Sequence, residues 1–204
     1  MKIYGDLISP FVRMTLVTAH EAGLGGKVEH VTEAVKPTEV NAKLARLSPL
    51  GKIPVLETDH GHGIFDSRVI MEYLCHVAGN LALIPDDGVK RFRVLTLLAL
   101  GQGLADAAVA YRYETAMRPQ GTQWQDWINR TRARFAATFD ELDTNWMDTL
   151  AEVNAGSIAV AVTLAYIDFR LGDLGWRGSR PGLAAWHEGF ARRDSMAKTA
   201  LPTP

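Results

Sequence analysis

Ser48-Pro49-Leu50-Gly51-Lys52-Ile53-Pro54-Val55-Leu56, followed by Phe65-Asp66-Ser67, carries the most structural information in the chain. Lys52 to Val55 reads as a strand with a proline at its start. Proline has no N–H to give a sheet, so it belongs at a strand's first residue or on an edge. Fixed in such a turn, Pro54 is also a candidate for a cis bond. One short hairpin later, Asp66-Ser67 opens an apolar helix. An edge strand with free backbone groups beside a helix N-terminus makes a surface suited to peptides and carboxylates.

Upstream of this stretch, Lys2-Ile3-Tyr4 is a short strand. Pro10 starts a helix at the first turn, where its missing N–H costs nothing. The helix runs to about Ala22 and stops at Gly23, with Phe11, Met14, Leu16 and Val17 on its apolar side. Val28 to Thr32 is a second strand. Val55-Leu56-Glu57 and Gly63-Ile64-Phe65 form a hairpin around Asp59-His60-Gly61-His62. Asp66 or Ser67 caps a helix carrying Val69, Ile70, Tyr73, Leu74 and Val77. The order β-α-β, then β-β-α, predicts a small mixed sheet with helices packed on it.

Asn80 to Gly88, with Pro85-Asp86-Asp87-Gly88, reads as a linker, after which strand signals largely stop. Val89–Arg118 and Gln123–Glu152 are long helical patterns. Ser157–Leu171 is a third helix whose first half is almost all apolar, which makes it central. Gly182–Arg193 is a fourth, and Pro202 and Pro204 end the chain in a tail. The expected division is a domain over 1–79, a linker over 80–87 and an all-helical domain over 88–204.

Among 204 residues, 47% are hydrophobic, enough for a sizeable core. A formal net charge of −1 gives no footprint for nucleic acid or an anionic membrane surface. The single cysteine, Cys75, excludes an internal disulfide framework and a CxxC redox pair. The longest apolar run, Ile158 to Ile167, is too short to span a bilayer, and no signal-peptide pattern precedes Lys2-Ile3-Tyr4. The expectation is a soluble, cytoplasmic protein.

Ser9-Pro10-Phe11, Gly51-Lys52-Ile53-Pro54-Val55-Leu56 and Phe65-Asp66-Ser67, in this order ahead of a helical half, resemble the cytosolic glutathione transferases, bacterial members most closely. Ala105-Asp106-Ala107-Ala108, Arg112-Tyr113-Glu114 and Tyr166-Ile167-Asp168-Phe169-Arg170 extend the resemblance over nearly the whole chain. It implies an α+β thioredoxin-like domain followed by an all-α helical bundle, with glutathione as co-substrate in the first domain. It also implies a small hydrophobic electrophile in a cleft between domains, a homodimer, and a role in detoxification. One departure stands out. Many members carry Ser/Thr-x-x-Asp at the start of the central helix, whereas this chain has Ser157-Ile158-Ala159-Val160, leaving Ser157 to cap alone.

The chemistry follows residue by residue. A thiol with a pKa near about 8.5 is only a few per cent thiolate at neutral pH. A Ser9 hydroxyl donating to the thiolate forms a charge-assisted bond worth about 1.5–3 kcal/mol, and so lowers that pKa by about one to two units. Read locally, Ser9 is an N-cap before Pro10; the downstream motifs tip it to the activating role. Tyr4 is the rival donor, although its place inside a strand makes it a packing residue. Read locally the Ile53–Pro54 bond is trans, since about 5–6% of such bonds are cis; the resemblance implies cis, which turns Ile53 N–H and C=O outward to pair with a peptide. Asp66 suits the γ-glutamyl ammonium, Ser67 and the helix N-terminus its carboxylate, and Lys52 the glycyl carboxylate or another ligand carboxylate.

Tyr111, Tyr113 and Met117 are candidates for the electrophile pocket, against the commoner reading of such helical positions as core. Arg13 reads as structural or interfacial and Cys75 as a buried, inert thiol. His60-Gly61-His62 reads as an exposed turn without a third ligand, so no metal is expected. Two further functions remain open: a glutathione-dependent peroxidase or reductase, against which stands the absence of cysteine at positions 9 and 10, and a non-enzymatic binding protein on the same fold.

Overall fold

The computed structural model describes residues 1–36 and 38–202; the expected tail at Pro204 lies outside them. The chain divides into two compact units, Met1–Arg91 together with the chain from Arg193 on, and Phe92–Arg192.

In the first unit, β1 (Lys2–Tyr4), β2 (Glu29–Val31), β3 (Val55–Glu57) and β4 (Gly63–Ile64) form one sheet in the order β2-β1-β3-β4. β1 is parallel to β2 and antiparallel to β3, and β3 is antiparallel to β4. The expected edge strand after Lys52 is therefore an interior one: β1 takes one side of β3 and β4 the other, pairing Val55 with Tyr4 and Leu56 with both Ile3 and Ile64. The strand starts at Val55, and Lys52 to Pro54 lie in the loop before it.

Alternation along β1 sends Ile3 and Tyr4 to opposite faces. Ile3 and Leu56 pack against α1 (Pro10–Glu21) and α3 (Ser67–Ala78) through Val12, Leu16, Ala19, Ile70 and Leu74. Tyr4 and Val55 face the other way, onto Leu44 of the short α2 (Ala42–Ala45), an element the sequence pattern did not announce. α1 ends as expected, with Ala22 at its C-cap and Gly23 at φ +76°. Asp66 is the N-cap of α3, its Oδ1 accepting from Arg68 N–H at 3.0 Å.

The division differs from 1–79, 80–87 and 88–204 at two places. Residues 80–91 belong with the first unit, where Leu83 and Ile84 are buried and so anchor the expected linker. The chain also returns to that unit through α9 (Asp194–Lys198), which packs on α1. Arg193 clasps Glu21 through both carboxylate oxygens at 2.8 and 2.9 Å, and Ser195 Oγ donates to Glu21 at 2.5 Å. Arg13, 5% exposed, donates to Met196 O at 3.2 Å and Thr199 Oγ1 at 3.4 Å. Arg13 is thus structural, as its position suggested.

The second unit holds α4 (Gly88–Arg112, shared with the first unit at its start), a π-helical turn (Tyr113–Met117), α5 (Gln125–Asn145), α6 (Met147–Leu150), α7 (Ala155–Arg170) and α8 (Pro181–Ala191). α4 and its π turn are long and apolar enough to cross a bilayer, but 56% of the apolar window is buried within the protein, as in the core helices of globular bundles. α7 is central, buried without break from Ala155 to Leu164. It begins before the expected Ser157. Asn154 Oδ1 accepts from Ser157 N–H, and Ser157 Oγ accepts from Asn154 N–H, both at 2.9 Å. The reciprocal box expected to be missing exists one frame earlier, with asparagine as cap and serine as the answering residue.

Glycines set the spacing of α4 and α7. A Cβ on Gly101 would lie 2.9 Å from Val160 N, and one on Gly156 2.7 Å from Leu97 Cβ. Thr163 Oγ1 donates to Gly101 O at 3.1 Å. Leu97 opposite Gly156, then Gly101 opposite Ala159–Thr163, means that the two helices run in the same direction.

Candidate functional site

The sheet topology gathers the predicted residues at one end of the first unit. β1 ends at that rim, and α1 leaves from it through the Gly5–Ser9 loop. β3 runs opposite to β1, so Ile53 and Pro54 stand at the same rim. β4 runs opposite to β3, so the N-terminus of α3, with Asp66 and Ser67, returns there too. Three sequence segments converge because strand direction alternates across β1, β3 and β4.

The β1–α1 loop is fixed atom by atom. Gly5 has φ +151°, a conformation L side chains avoid, and a Cβ there would lie 2.3 Å from Val12 Cγ2 and 3.1 Å from Ile53 Cβ. That contact seats Ile53 against the loop carrying Ser9. Gly5 N–H donates to Val31 O at 3.1 Å, and Gly5 O accepts from His30 Nε2 at 2.8 Å, which assigns that nitrogen the proton. Asp6 Oδ1 accepts from Ile8 N–H at 2.8 Å, and Ser9 N–H donates to Asp6 O at 3.0 Å. Gly5 and His30 were missed by sequence reasoning. A glycine directly after a strand was the available signal for the first; nothing local marks the second.

Ser9 is the N-cap of α1, followed by Pro10 at the first helical position. Its Oγ accepts from Val12 N–H at 3.5 Å, a long bond, and its hydroxyl proton is donated to no described group. The residue is half-buried at the positive end of a helix dipole. The capping and activating readings are therefore compatible, because the cap uses a lone pair and leaves the proton.

Tyr4 is placed differently. Its hydroxyl donates to Glu57 Oε2 at 2.6 Å, on the sheet face that carries α2. That hydrogen bond, then burial, pushes the phenol up to about 12. Its single proton is already given away, in the direction opposite to the rim.

The Ile53–Pro54 bond is cis, and so is Phe65–Asp66. Lys52 is exposed, Ile53 half-buried and Pro54 buried. The turn before them is held by Ser48, whose carbonyl accepts from Gly51 N–H at 3.1 Å, with Gly51 at φ +58°. Asp66 is exposed with Arg68 Nη2 at 3.7 Å, and Ser67 is buried at the first position of α3. Cys75 is buried on α3 and burial pushes its thiol up to about 11, so it stays protonated at neutral pH. His60 and His62 lie exposed in the β3–β4 turn.

The electrophile candidates separate. Tyr111 is core, 4% exposed, edge-on to Phe135 with centroids 5.5 Å apart, its hydroxyl accepting from Arg132 at 2.8 Å. Tyr113 and Met117 are 41% and 56% exposed.

Comparison with known proteins places this arrangement. Residues 8–77 match the N-terminal domain model of the glutathione S-transferases and residues 125–189 their C-terminal domain model. The chain is similar to the uncharacterized GST-like protein YibF of Escherichia coli K12, 34% identical over 205 residues and 99% of each chain. It superposes on a glutathione transferase family member from Pseudomonas fluorescens Pf-5 with bound glutathione at a TM-score of 0.95, with 38% identity and 99% of each chain covered. A Pf-5 family member with bound S-(propanoic acid)-glutathione gives 0.91 and 37%, with all of both chains covered. The matches of both halves, and of the whole length to a relative 34% identical, make this chain a member of the glutathione S-transferase family.

Proposed function

We propose that the protein is a glutathione transferase in which Ser9 holds glutathione as thiolate. The observation that carries this reading is the single rim at which Ser9, Ile53–Pro54 and Asp66–Ser67 meet. Ser9 has an unspent proton at a helix N-terminus, whereas that of Tyr4 is committed to Glu57. Ile53 N–H and C=O, in the loop before β3, pair with the tripeptide backbone. The γ-glutamyl end meets Asp66 and Ser67, and Lys52 meets a ligand carboxylate at the exposed side. The thiolate sulfur then bonds to an electrophilic carbon, and in an aryl halide the halide leaves. Relatives crystallised with glutathione and with a glutathione S-conjugate support this choice of ligand.

We place the enzyme in the cytoplasm as a homodimer. Val69, Tyr73 and Val77 recur at helical spacing on α3, with Val69 and Val77 50% and 45% exposed. Calorimetry with glutathione and conjugation of an activated aryl halide test the proposal. Micromolar to low-millimolar binding with turnover is expected; no binding at millimolar glutathione leaves a non-enzymatic protein on this fold. A peroxidase would instead turn over peroxides faster than aryl halides.

A further inference from the structure

The C-terminal ends of α4 and α7 carry a cluster that the glutathione rim does not use. The helices run in the same direction from their crossing at Gly101, and Arg112 comes roughly three turns beyond it and Arg170 about two to three. Tyr166 precedes Arg170 by one helical turn and shares its face. It is 6% exposed, and its hydroxyl makes no hydrogen bond among the described residues. Burial pushes this phenol up, while Arg112 and Arg170 pull it back down and Tyr113 opposes them, so all four groups share one neighbourhood.

Neither arginine is paired with a carboxylate among the described residues. The adjacent acids are committed elsewhere. Glu114 pairs with Arg118 at 2.8 Å and accepts from Trp124 N–H at 2.7 Å. Asp168 accepts from Trp176 Nε1 at 2.8 Å and from Arg177 Nη2 at 2.5 Å. The Arg170 guanidinium lies 4.3 Å from the Phe169 ring centroid, which steadies it. A basic residue in the last turn of a helix complements the carbonyl end, and that accounts for each arginine singly. It does not account for two flanking one phenol hydroxyl that has no hydrogen-bond partner among the described residues.

We infer that Arg112, Arg170 and Tyr166 form an anion subsite that takes the carboxylate of a small organic acid, with Tyr113 as an aromatic wall. The guanidinium forks match a carboxylate and the phenol donates a third bond. Under the transferase reading this names the acceptor class, electrophiles bearing a carboxylate, and it rests on that reading for the acid's role as acceptor.

The test is equilibrium binding of 3,5-dinitrobenzoate and 3,5-dinitrobenzamide to the full chain and to Arg112→Gln, Arg170→Gln and Tyr166→Phe. The wild type is expected to prefer the carboxylate by about tenfold, the worth of one charge-assisted hydrogen bond. Either glutamine variant should bring the preference below about threefold with amide affinity unchanged, and Arg112→Lys, which keeps the charge, should restore part of it. Higher salt should shrink the preference in the wild type only. Equal binding of the two probes, no binding of either, or equal loss of both in the arginine variants overturns the subsite. Glutathione titration in parallel separates the readings. A carboxylate preference without glutathione binding refutes the transferase and keeps the subsite; glutathione binding without the preference does the reverse.

Discussion

Replacing Ser9 by alanine separates two jobs that one hydroxyl can do. As a cap it accepts from Val12 N–H at 3.5 Å, so its loss should cost less than about 1 kcal/mol of stability. As a donor to a thiolate it is worth about 1.5–3 kcal/mol, or about 1.1–2.2 pKa units. Taking 1.5 units, bound glutathione titrates near about 7 in the wild type and near about 8.5 in the variant. At pH 6.5 the thiolate fraction then falls from about 24% to about 1%. The more basic thiolate is the better nucleophile, by about fivefold over 1.5 units at a Brønsted slope of about 0.45. The variant should therefore be about fivefold slower at pH 6.5, equal near about pH 8, and about fourfold faster at pH 9.5. Conjugation rates at saturating glutathione across this range, with the ultraviolet absorbance of bound thiolate read alongside, measure it. Coincident thiolate titrations in the two proteins, or a variant that is slow at every pH, refute the role of Ser9.

Tyr4→Phe should leave conjugation within about twofold, since the phenol proton is spent on Glu57; a loss like that of Ser9→Ala would reverse the assignment. Because the folded phenol is raised from 10.0 to about 12, its contribution to stability is present below pH 10 and lost as pH rises towards 12, a loss that Tyr4→Phe should lack in alkaline unfolding curves. Glu21, held below the usual carboxylate range first by Arg193, stabilises the fold above pH 4.5 and ceases to as pH falls through its depressed value. Glu21→Gln should cost about 1–2 kcal/mol at neutral pH, after discounting for exposure, and speed amide exchange over residues 194–199. Two glycines of α4 should respond with opposite signs. Gly101→Ala drives a Cβ to 2.9 Å from Val160 N and should cost about 1–3 kcal/mol, whereas Gly103→Ala meets nothing within 4 Å and should gain about 0.5–1 kcal/mol in thermal unfolding.

Local chemistry made much of the first unit legible. Pro10 at a helix start, Gly23 past its end, the Val55–Ile64 hairpin and the Asp66 cap each depend on a few neighbouring residues, and each was readable from them. Failures came where a distant partner decides. The place of β3 inside the sheet depends on β1 pairing with it, which no feature of Lys52–Leu56 encodes. The asparagine–serine box of α7 is hidden locally because Ser157 reads as a cap, whereas it answers Asn154. Five residues of α9 carry too little periodicity to announce a helix; Glu21 and Arg13, far off in sequence, hold it.

Local chemistry along the chain sets the residue types at the rim and the turns presenting them: a serine ahead of a proline, a cis-competent proline before a strand, an acid and a serine opening a helix. That these stand at one end of the sheet, that Tyr4 gives its proton to Glu57, and that Gly5 and His30 hold the loop follow from the tertiary fold alone. The physical reason is that caps and turns are satisfied within a few residues. Strand order, sheet face and the partner of a buried proton are instead fixed by pairings between segments whose separation along the chain carries no local signal.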